Sequence, residues 1–472
     1  MSEHIPVHNI EAVTVDLYES RTKVHTRSFS GRFRRLRLLG GFLLFALYFG
    51  VAWLNWEGRQ AVLWDISSRK FHIFGDTFWP QDFILLSGIL IIAAFGLFFL
   101  TVFAGRAWCG YACPQSMWTW VFMWAEKVTE GDRNQRIKLD KAPVSLEKAA
   151  RRGLKHGLWV LISLATAVTF VGYFTPIRAL VTDLATLEVG GWSLFWIGFF
   201  TVATYLNAGW LREQVCFHMC PYGRFQSSML DEDSLVVTYD AARGESRGPR
   251  KKNAPYRTQG LGDCVDCSLC VQVCPTGIDI RDGLQMECIG CAACIDACDA
   301  VMAKMNYDAG LIRYTGERAL KGGEARILRP RLLGYGAVLL LMISVFAWVM
   351  ASRPLLSLDV AKDRGLFRYN SENRIENGYI LDILNKENEP KTFLISASGL
   401  EGLVMGGERR IQVGPESAVS VPVTLSMRPS QLLQRSSDVF FEVKDAYRPE
   451  RRVVKPSRFT GPSVHFTGSS VQ

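Results

Sequence analysis

Eight of the twelve cysteines stand in two consecutive runs that share one internal spacing. Each run reads C-x2-C-x2-C-x3-C. Thiolates at this spacing can wrap a tight loop around a cubane of iron and sulfide, and few other sites require that arrangement. The runs are Cys264, Cys267, Cys270 and Cys274, followed by Cys288, Cys291, Cys294 and Cys298. The sequence therefore predicts two [4Fe–4S] clusters.

The ligand sets of the two clusters follow from a rule for this spacing. In two-cluster ferredoxins the fourth cysteine of each run binds the other cluster. Pro275 completes the ferredoxin pattern in the first run, whereas Asp299 replaces the proline in the second, and neither position is a ligand. Structural zinc sites also use paired C-x2-C units, but two complete runs in series favour clusters. We expect one cluster on Cys264, Cys267, Cys270 and Cys298, and the other on Cys274, Cys288, Cys291 and Cys294.

The remaining four cysteines form a second, duplicated motif. Both copies read C-x3-C-P, at 109–114 and 216–221, and both follow an apolar stretch. Each cysteine of the second copy stands 107 residues after its counterpart in the first. This constant spacing indicates that a unit of two spans is duplicated, with the two motifs facing one another. Cysteines four residues apart share one face of a helical turn. A proline after the second cysteine suits the first turn of a new helix, whose N-terminus favours thiolate.

Three interpretations of these motif cysteines stay open. Thiolates beside a thioether form a soft site that selects Cu(I), and Met219 and His218 lie inside the second copy. Buried small side chains at helix breaks are the second interpretation, and a redox-active dithiol or disulfide in each motif is the third. On the first interpretation, the catalytic and copper-binding candidates are Cys109, Cys113, Cys216 and Cys220, with His218 and Met219 as further ligands.

Five uncharged apolar stretches are each long enough to cross a hydrocarbon core of about 30 Å. None has a polar face, which argues against buried helices of a soluble core. The predicted spans are 38–56, 83–105, 157–177, 189–211 and 332–352. Whether the uncharged stretch 107–125 lies along the membrane interface or re-enters the membrane is left open.

Basic residues predict the orientation of these spans. They cluster before the first span and between the second and third, whereas the loop after the third has only Arg178. The positive-inside rule then places the N-terminus in the cytoplasm and, after five spans, the C-terminal region in the periplasm. The net charge of +9 is mostly this topogenic charge and does not indicate nucleic-acid binding. All cysteines fall on the cytoplasmic side or face, as expected of metal or redox groups.

The predicted fold class is a polytopic α-helical membrane protein with a ferredoxin-like insert and a C-terminal immunoglobulin-like β-sandwich. The sandwich is predicted from short strand-like runs separated by turn formers. The predicted segments are a basic tail 1–37, a four-span domain 38–211, a cytoplasmic linker 212–260 that is flexible over 240–260, the two-cluster insert 261–305, a connector 306–331, the fifth span 332–352 and a periplasmic domain 358–472.

This order of motifs resembles the cytochrome c oxidase accessory protein family CcoG, also called FixG or RdxA. The resemblance runs from about residue 28 to the C-terminus and includes the stretch 310–314 after the second run. It implies a bacterial inner-membrane protein that reduces Cu(II) to Cu(I) for assembly of cbb3-type cytochrome oxidase, with copper as substrate or transient ligand. It also implies membrane lipid, a copper exporter or Cu(I) chaperone and oxidase assembly factors as partners. The electron donor is not identified.

Two alternatives accompany this interpretation. Related membrane ferredoxins with C-x3-C-P motifs act as quinol dehydrogenases that feed a partner reductase. The chain could also be an oxidase assembly scaffold whose clusters are structural.

Overall fold

A computed structural model describes residues 23–462 except 253, 325, 327, 366 and 433. The chain forms two compact units, which are described separately. Among the described residues, the first unit comprises 23–75 and Pro80–Ile343, and the second comprises Asp76–Trp79 and 344–462.

Helices dominate the first unit. The helices that precede the second C-x3-C-P motif are α1 (Arg32–Val51), α2 (Phe83–Ala104), α3 (Ala107–Tyr111), α4 (Pro114–Glu130), α5 (Arg133–Lys141), α6 (Leu146–Val171), α7 (Ile177–Thr186) and α8 (Gly191–Thr204). The chain then continues as a π-helix over Tyr205–Leu211 and forms another π-helical turn at Val215–Met219. The later helices are α9 (Pro221–Met229), α10 (Ala241–Gly244), α11 (Leu269–Val273), α12 (Ala293–Met305), α13 (Glu317–Leu320) and α14 (Pro330–Ala351). Residues 344–351 of α14 are assigned to the second unit.

Within the described ranges, four helices are long and apolar enough to cross a membrane. They are Pro80–Ala104, Leu146–Val171, Gly191–Leu211 and Pro330–Ala351, which correspond to the second to fifth predicted spans. The bounds predicted for the first span, 38–56, are wrong because α1 begins at Arg32 and ends at Val51. Its first turns carry arginines, so the total of five spans stays a prediction.

The end of α1 is set by a tight turn. Strand β1 (Asn55–Trp56) pairs with β2 (Arg59–Gln60) across Glu57 and Gly58, which both have positive φ. Two further strands, β3 (Val62–Asp65) and β4 (Lys70–Ile73), form an antiparallel pair. Hydropathy alone missed the turn because its apolar neighbours, such as Trp53, extended the predicted span.

The third predicted span, 157–177, also has different bounds. Helix α6 begins at Leu146, where the Ser145 side chain accepts a hydrogen bond from the backbone N–H of Lys148. Residues 146–156 include several charged residues but are mostly good helix formers, so the helix starts well before its apolar part. It ends at Val171, and a turn leads into α7, which the sequence analysis did not foresee.

The cysteine-rich insert is larger than the predicted 261–305. Strand β6 (Val236–Tyr239) comes from the predicted linker and pairs antiparallel with β7 (Ile312–Thr315) from the predicted connector. Val237, Ile312 and Met302 of α12 are buried in one hydrophobic cluster beneath these strands. The insert therefore takes its sheet from both of its flanking segments.

The stretch 240–260, expected to be flexible, is instead fastened to the insert. The Nε of Arg243 lies 2.6 Å from Asp263 Oδ2. The guanidinium of Arg250 lies 4.3 Å from the ring centre of Tyr256 and 5.3 Å from that of Tyr307. These arginines, which the composition assigned to a linker, act as packing residues.

Only part of the predicted basic tail can be described. Residues 1–22 lie outside the described residues, and 32–37 belong to α1. Between them the chain runs along the insert, where the backbone N–H of Arg27 donates to the carbonyl of Gln272 at 2.8 Å.

The second unit contains an antiparallel β-sandwich, which confirms the predicted architecture. After β5 (Asp76–Phe78), its strands are β8 (Leu356–Lys362), β9 (Arg368–Tyr369), β10 (Ile375–Asn385), β11 (Lys391–Ser398), β12 (Val404–Gly406), β13 (Arg410–Val413), β14 (Ser417–Met427), β15 (Ser436–Asp445) and β16 (Arg452–Thr460). One sheet has the order β12-β14-β10-β8, with β9 also paired to β10, and the other has the order β13-β11-β15-β16. Tyr379 of β10 meets Phe441 of β15 between the sheets, with ring centres 4.9 Å apart.

Candidate redox site

The cysteines of the two runs line two cavities in the insert. The first cluster cavity, with an empty volume of about 360 Å³, is lined by Cys264, Cys267, Cys270 and Cys298. The second cluster cavity, of about 340 Å³, is lined by Cys274, Cys288, Cys291 and Cys294, and Cys270 also borders it. The structure thus brings together the two sets expected when the fourth cysteines are exchanged between clusters. The ligand assignment itself stays a prediction.

Local backbone geometry repeats between the two cavities. The residue after the second cysteine of each run is left-handed, with φ of 51° at Ser268 and 57° at Ala292. Each of these residues immediately precedes a helix, α11 or α12. This shared turn bends both loops around their cavities, as the repeated spacing predicts.

The donor geometry favours clusters over zinc. Four thiolates that share one zinc ion converge on it at about 2.3 Å, whereas each thiolate around a cubane binds a different iron. Among the residues that the structure describes, no three His, Cys, Asp or Glu side chains converge as the ligands of a single ion would. Cavities lined by four separated thiols fit [4Fe–4S] clusters, which supply one-electron transfer when bound.

The helix starts predicted in the C-x3-C-P motifs are present. Pro114 begins α4 and Pro221 begins α9, so Cys113 and Cys220 each stand at the N-cap of a helix. The first cysteines differ between the copies: Cys109 lies in α3, whereas Cys216 lies in a π-helical turn. Within each motif the two cysteines therefore belong to different helical segments rather than to one continuous helix.

The structure brings the two motifs together. Burial raises the pKa of Cys109 to about 12, and the thiols of Cys113, Cys216 and Cys220 add to that rise. Burial likewise raises the pKa of Cys216 to about 11. The candidate ligands His218 and Met219 are exposed, and the Met219 side chain is 63% accessible. Since no described trio converges on one ion, a single-ion copper site is not preformed by these residues.

The first motif packs directly against the second cluster cavity. A Cβ on Gly110 would lie 2.9 Å from the Cα of Cys291 and 2.7 Å from the carbonyl oxygen of Gly290. Cys109 also packs against the buried group that contains Cys291. Only glycine allows this approach of the motif backbone to the cysteine-rich loop.

Two side chains fasten this contact. Arg106, just before the first motif, donates from Nη2 to the carbonyl of Gly223 at 2.9 Å and from Nη1 to the carbonyl of Met286. The Tyr314 hydroxyl donates to the carbonyl of Gly290 and lies 3.2 Å from the hydroxyl of Tyr111. Tyr314 ends the stretch 310–314, to which the sequence analysis had assigned no role.

A buried arginine lies beside the same cavity and was missed by the sequence analysis. Arg37 is 7% exposed, and its Nε has no hydrogen-bond acceptor among the described residues. It lies on the face of α1 on which Phe33 contacts Tyr314 and Gly40 approaches the Tyr111 backbone. Burial raises the pKa of Cys291, and the positive charge of Arg37 opposes that rise. The sequence had counted this residue only among the topogenic charges.

A buried carboxylate links the second motif to α4. Glu126 lies 2.6 Å from Arg212, four residues before Cys216, and 2.8 Å from Arg136. Burial alone would raise the pKa of Glu126, but Arg212 and Arg136 outweigh burial and hold it below its ordinary value. The charges of this network are thus paired within the protein.

Three family models match the chain. One described as a 4Fe-4S dicluster domain matches residues 211–317, and one described as a 4Fe-4S binding domain matches 86–124. A third, described as an IG-like fold at the C-terminal of FixG, matches 346–462. The first model covers both cysteine runs, so the chain is an iron–sulfur protein. The second contains only Cys109 and Cys113 among the cysteines.

Several known proteins are similar to this chain. Nitrogen fixation protein FixG of Rhizobium meliloti is 37% identical over 94% of both chains. Protein RdxB of Cereibacter sphaeroides is 38% identical over 88% of this chain and 89% of its own. Methylamine utilization ferredoxin-type protein MauN of Methylobacillus flagellatus is 24% identical over 40% of this chain and 54% of its own. A crystal structure of a FixG-related protein from Vibrio parahaemolyticus is 24% identical over 22% of this chain and 95% of its own, with a TM-score of 0.21.

Proposed function

Because the chain belongs to the FixG family, also called CcoG or RdxA, we propose that it reduces Cu(II) to Cu(I) for assembly of cbb3-type cytochrome oxidase. The observation that carries this proposal is the contact between Gly110 and Cys291. That contact places a set of soft thiols against the second cluster cavity. The copper is reduced one electron at a time, as one-electron iron–sulfur donors require.

The motif residues have distinct roles in this proposal. The exposed His218 and Met219 bind incoming Cu(II) first, and the motif cysteines then bind it. Thiolate and thioether ligands favour the Cu(I) product. The thiols of Cys109 and Cys216 release their protons when they bind metal, since a coordinating thiol is deprotonated. Cu(I) then leaves to a copper exporter or a Cu(I) chaperone.

The proposed setting is the bacterial cytoplasmic membrane. The arginines and lysines that flank the apolar helices favour a cytoplasmic N-terminus and cytoplasmic clusters, with the β-sandwich in the periplasm. The sandwich then serves as a docking module for oxidase assembly factors. Reporter fusions at the two termini test this orientation, and a cytoplasmic C-terminus would contradict it.

A double variant tests the copper site. Cys216→Ala with Cys220→Ala should keep both clusters, measured as iron content and as the spectrum after dithionite reduction, and should lose copper reduction. Ser228→Ala, on the exposed side of α9, is the matched control and should behave as the wild type. Unchanged copper turnover in the double variant would rule out the proposed site.

One observation favours another occupant for the motif cysteines. The 4Fe-4S binding-domain match over 86–124 contains only two cysteines, so a cluster there would need Cys216 and Cys220 as well. Two clusters account for about eight irons per chain. A larger iron content that falls to about eight in the double variant would assign these cysteines to a third cluster and would contradict the copper site.

A further inference from the structure

A cavity lies between α4, α6 and the π-helical segment that follows α8. Its empty volume is about 1040 Å³. The wall residues that matter here are Met123, Lys155, His156, Trp159, Trp210 and Pro275. We call it the interfacial cavity.

The interfacial cavity lies between the predicted membrane interface and the second cluster cavity. His156 and Trp159 lie near the middle of the helix Leu146–Val171, just after its last charged residue, Lys155, and Trp210 lies at the end of the apolar helix Gly191–Leu211. The cavity is therefore at the depth where two apolar helices give way to charged residues, as at a membrane interface. Its opposite wall contains Pro275, the residue after Cys274 of the second cluster cavity. A ligand in this cavity would contact both the interface and the edge of a cluster site.

The charges of the wall favour a neutral ligand. Lys155 lies 2.9 Å from Glu130, and Arg212 lies 2.6 Å from Glu126. Arg152, also on the wall, lies 2.8 Å from Asp140. Lys23, the fourth cation on the wall, lies 3.5 Å from the same Asp140, and Glu213 is a further carboxylate on the wall. The four wall cations thus stand among four carboxylates, so the wall offers little excess positive charge to hold an anionic lipid head group.

One wall residue can exchange a proton with a ligand. His156 Nδ1 lies 2.8 Å from the Tyr205 hydroxyl. When Nδ1–H donates to that hydroxyl, Nε2 carries the lone pair and can accept a proton. Trp210, which is 63% exposed, can pack against a flat ring. Trp159 is buried, with Lys155 and Arg212 over its ring, and supports the wall from behind the accessible surface.

We propose that the interfacial cavity binds a quinol head group and that a quinol is the electron donor of this protein. The inference rests on the proposed function, because it supplies the electrons that copper reduction consumes. The quinol loses two electrons and two protons and leaves as a quinone. The two clusters, when bound by the cysteine runs, would accept one electron each, and Pro275 of the interfacial cavity directly follows Cys274, which lines the second cluster cavity. One proton passes through His156 Nε2 to water, and the other goes to water directly.

Binding and electron transfer are tested separately, on the full-length, cluster-loaded protein in nanodiscs. Decylubiquinone binding is measured by equilibrium dialysis, and anaerobic cluster reduction by decylubiquinol is followed by EPR. Trp210→Ala should weaken quinone binding about tenfold, which is about 1.4 kcal/mol. His156→Gln should slow cluster reduction about tenfold with a smaller effect on binding. Trp196→Ala, whose side chain is 43% exposed on the preceding helix and outside the cavity wall, should match the wild type.

Reduction by dithionite shows whether the variants keep their clusters. If dithionite reduces every variant normally and only the two cavity variants are impaired with the quinone pair, the proposal holds. Absence of quinone binding in the wild type would overturn it, as would cavity variants that bind and react like the wild type. Copper reduction by dithionite-reduced protein needs no quinol, so failure of the proposed function would be seen separately.

Discussion

Gly110 and Cys291 are in backbone contact: a Cβ on Gly110 would stand 2.9 Å from the Cα of Cys291. Gly110 directly follows the first motif cysteine, and Cys291 lines the second cluster cavity. Two groups that are far apart in the sequence therefore meet without an intervening side chain. This contact is a direct backbone route between the cysteine runs and the C-x3-C-P motifs.

Widening this contact should slow copper reduction. In Gly110→Ala the added Cβ is too close to backbone atoms on the other side, so the two segments must separate, at a cost of about 1–3 kcal/mol. We expect slower Cu(I) formation with unchanged iron content. Gly153→Ala, in α6, is the control because a Cβ there meets nothing within 4 Å. A Gly110→Ala protein with the wild-type rate would show that electrons take another route.

Pairs of cysteine variants should reveal the exchange of the fourth ligands. Cys264→Ser with Cys298→Ser affects only the first cluster cavity, so about four of about eight irons should remain. Cys264→Ser with Cys274→Ser affects both cavities and should remove nearly all of the iron. Iron analysis and EPR of the reduced proteins measure both outcomes. The reverse pattern would show that each run binds its own cluster.

Removal of the Arg37 charge should lower the reduction potential of the second cluster. A reduced cluster carries one more negative charge, which a buried guanidinium stabilises more than water does. For Arg37→Gln we expect a decrease on the order of 60 mV, which is about tenfold in a one-electron equilibrium. Arg35→Gln is the control because Arg35 is exposed on the same helix. An EPR titration in which Arg37→Gln leaves the potential unchanged would contradict this role.

Loss of the Glu126 carboxylate should destabilise the first unit. Glu126→Gln leaves Arg212 and Arg136 buried without their shared counter-charge, at a cost of about 3–5 kcal/mol. These arginines hold the pKa of Glu126 in the folded protein below its ordinary value of 4.5. The ionised carboxylate therefore contributes fully to the free energy of unfolding above pH 4.5, and this contribution is lost as the pH falls through the folded-state pKa.

The Tm difference between wild type and Glu126→Gln should therefore be equal at pH 6 and pH 8. Glu147→Gln removes an exposed carboxylate, 71% accessible and paired with Arg151, and should change Tm little. A difference that disappears between pH 8 and pH 6 would mean that Glu126 is protonated near neutrality and does not act as the counter-charge.

The sequence predicted features that depend on local spacing. The two cysteine sets, the prolines that begin α4 and α9, and the β-sandwich follow from patterns within a few residues of one another. Helix bounds were less predictable, since hydropathy locates the apolar part of a helix and not its polar ends, as the start of α6 at Leu146 shows.

Contacts between distant segments were not predictable from the sequence. The interaction of Arg250 with Tyr256 and Tyr307 exists only once the insert has folded, so a packed segment was predicted to be a linker. The role of Arg37 was not predictable for a similar reason. Several basic residues precede the first apolar stretch, and only its burial in the folded protein distinguishes Arg37 from the others. The glycine of the first motif was a usable signal, because a residue that lacks a Cβ beside a candidate metal ligand permits close backbone approach.

The proposed function requires that reduced clusters pass electrons to copper. The most direct test reduces the cluster-loaded protein anaerobically with dithionite, removes the excess, and adds Cu(II) while cluster absorbance and a Cu(I) chelator are followed together. We predict reoxidation of the clusters with one Cu(I) formed for each electron lost. Clusters that stay reduced in the presence of excess Cu(II) would contradict the account.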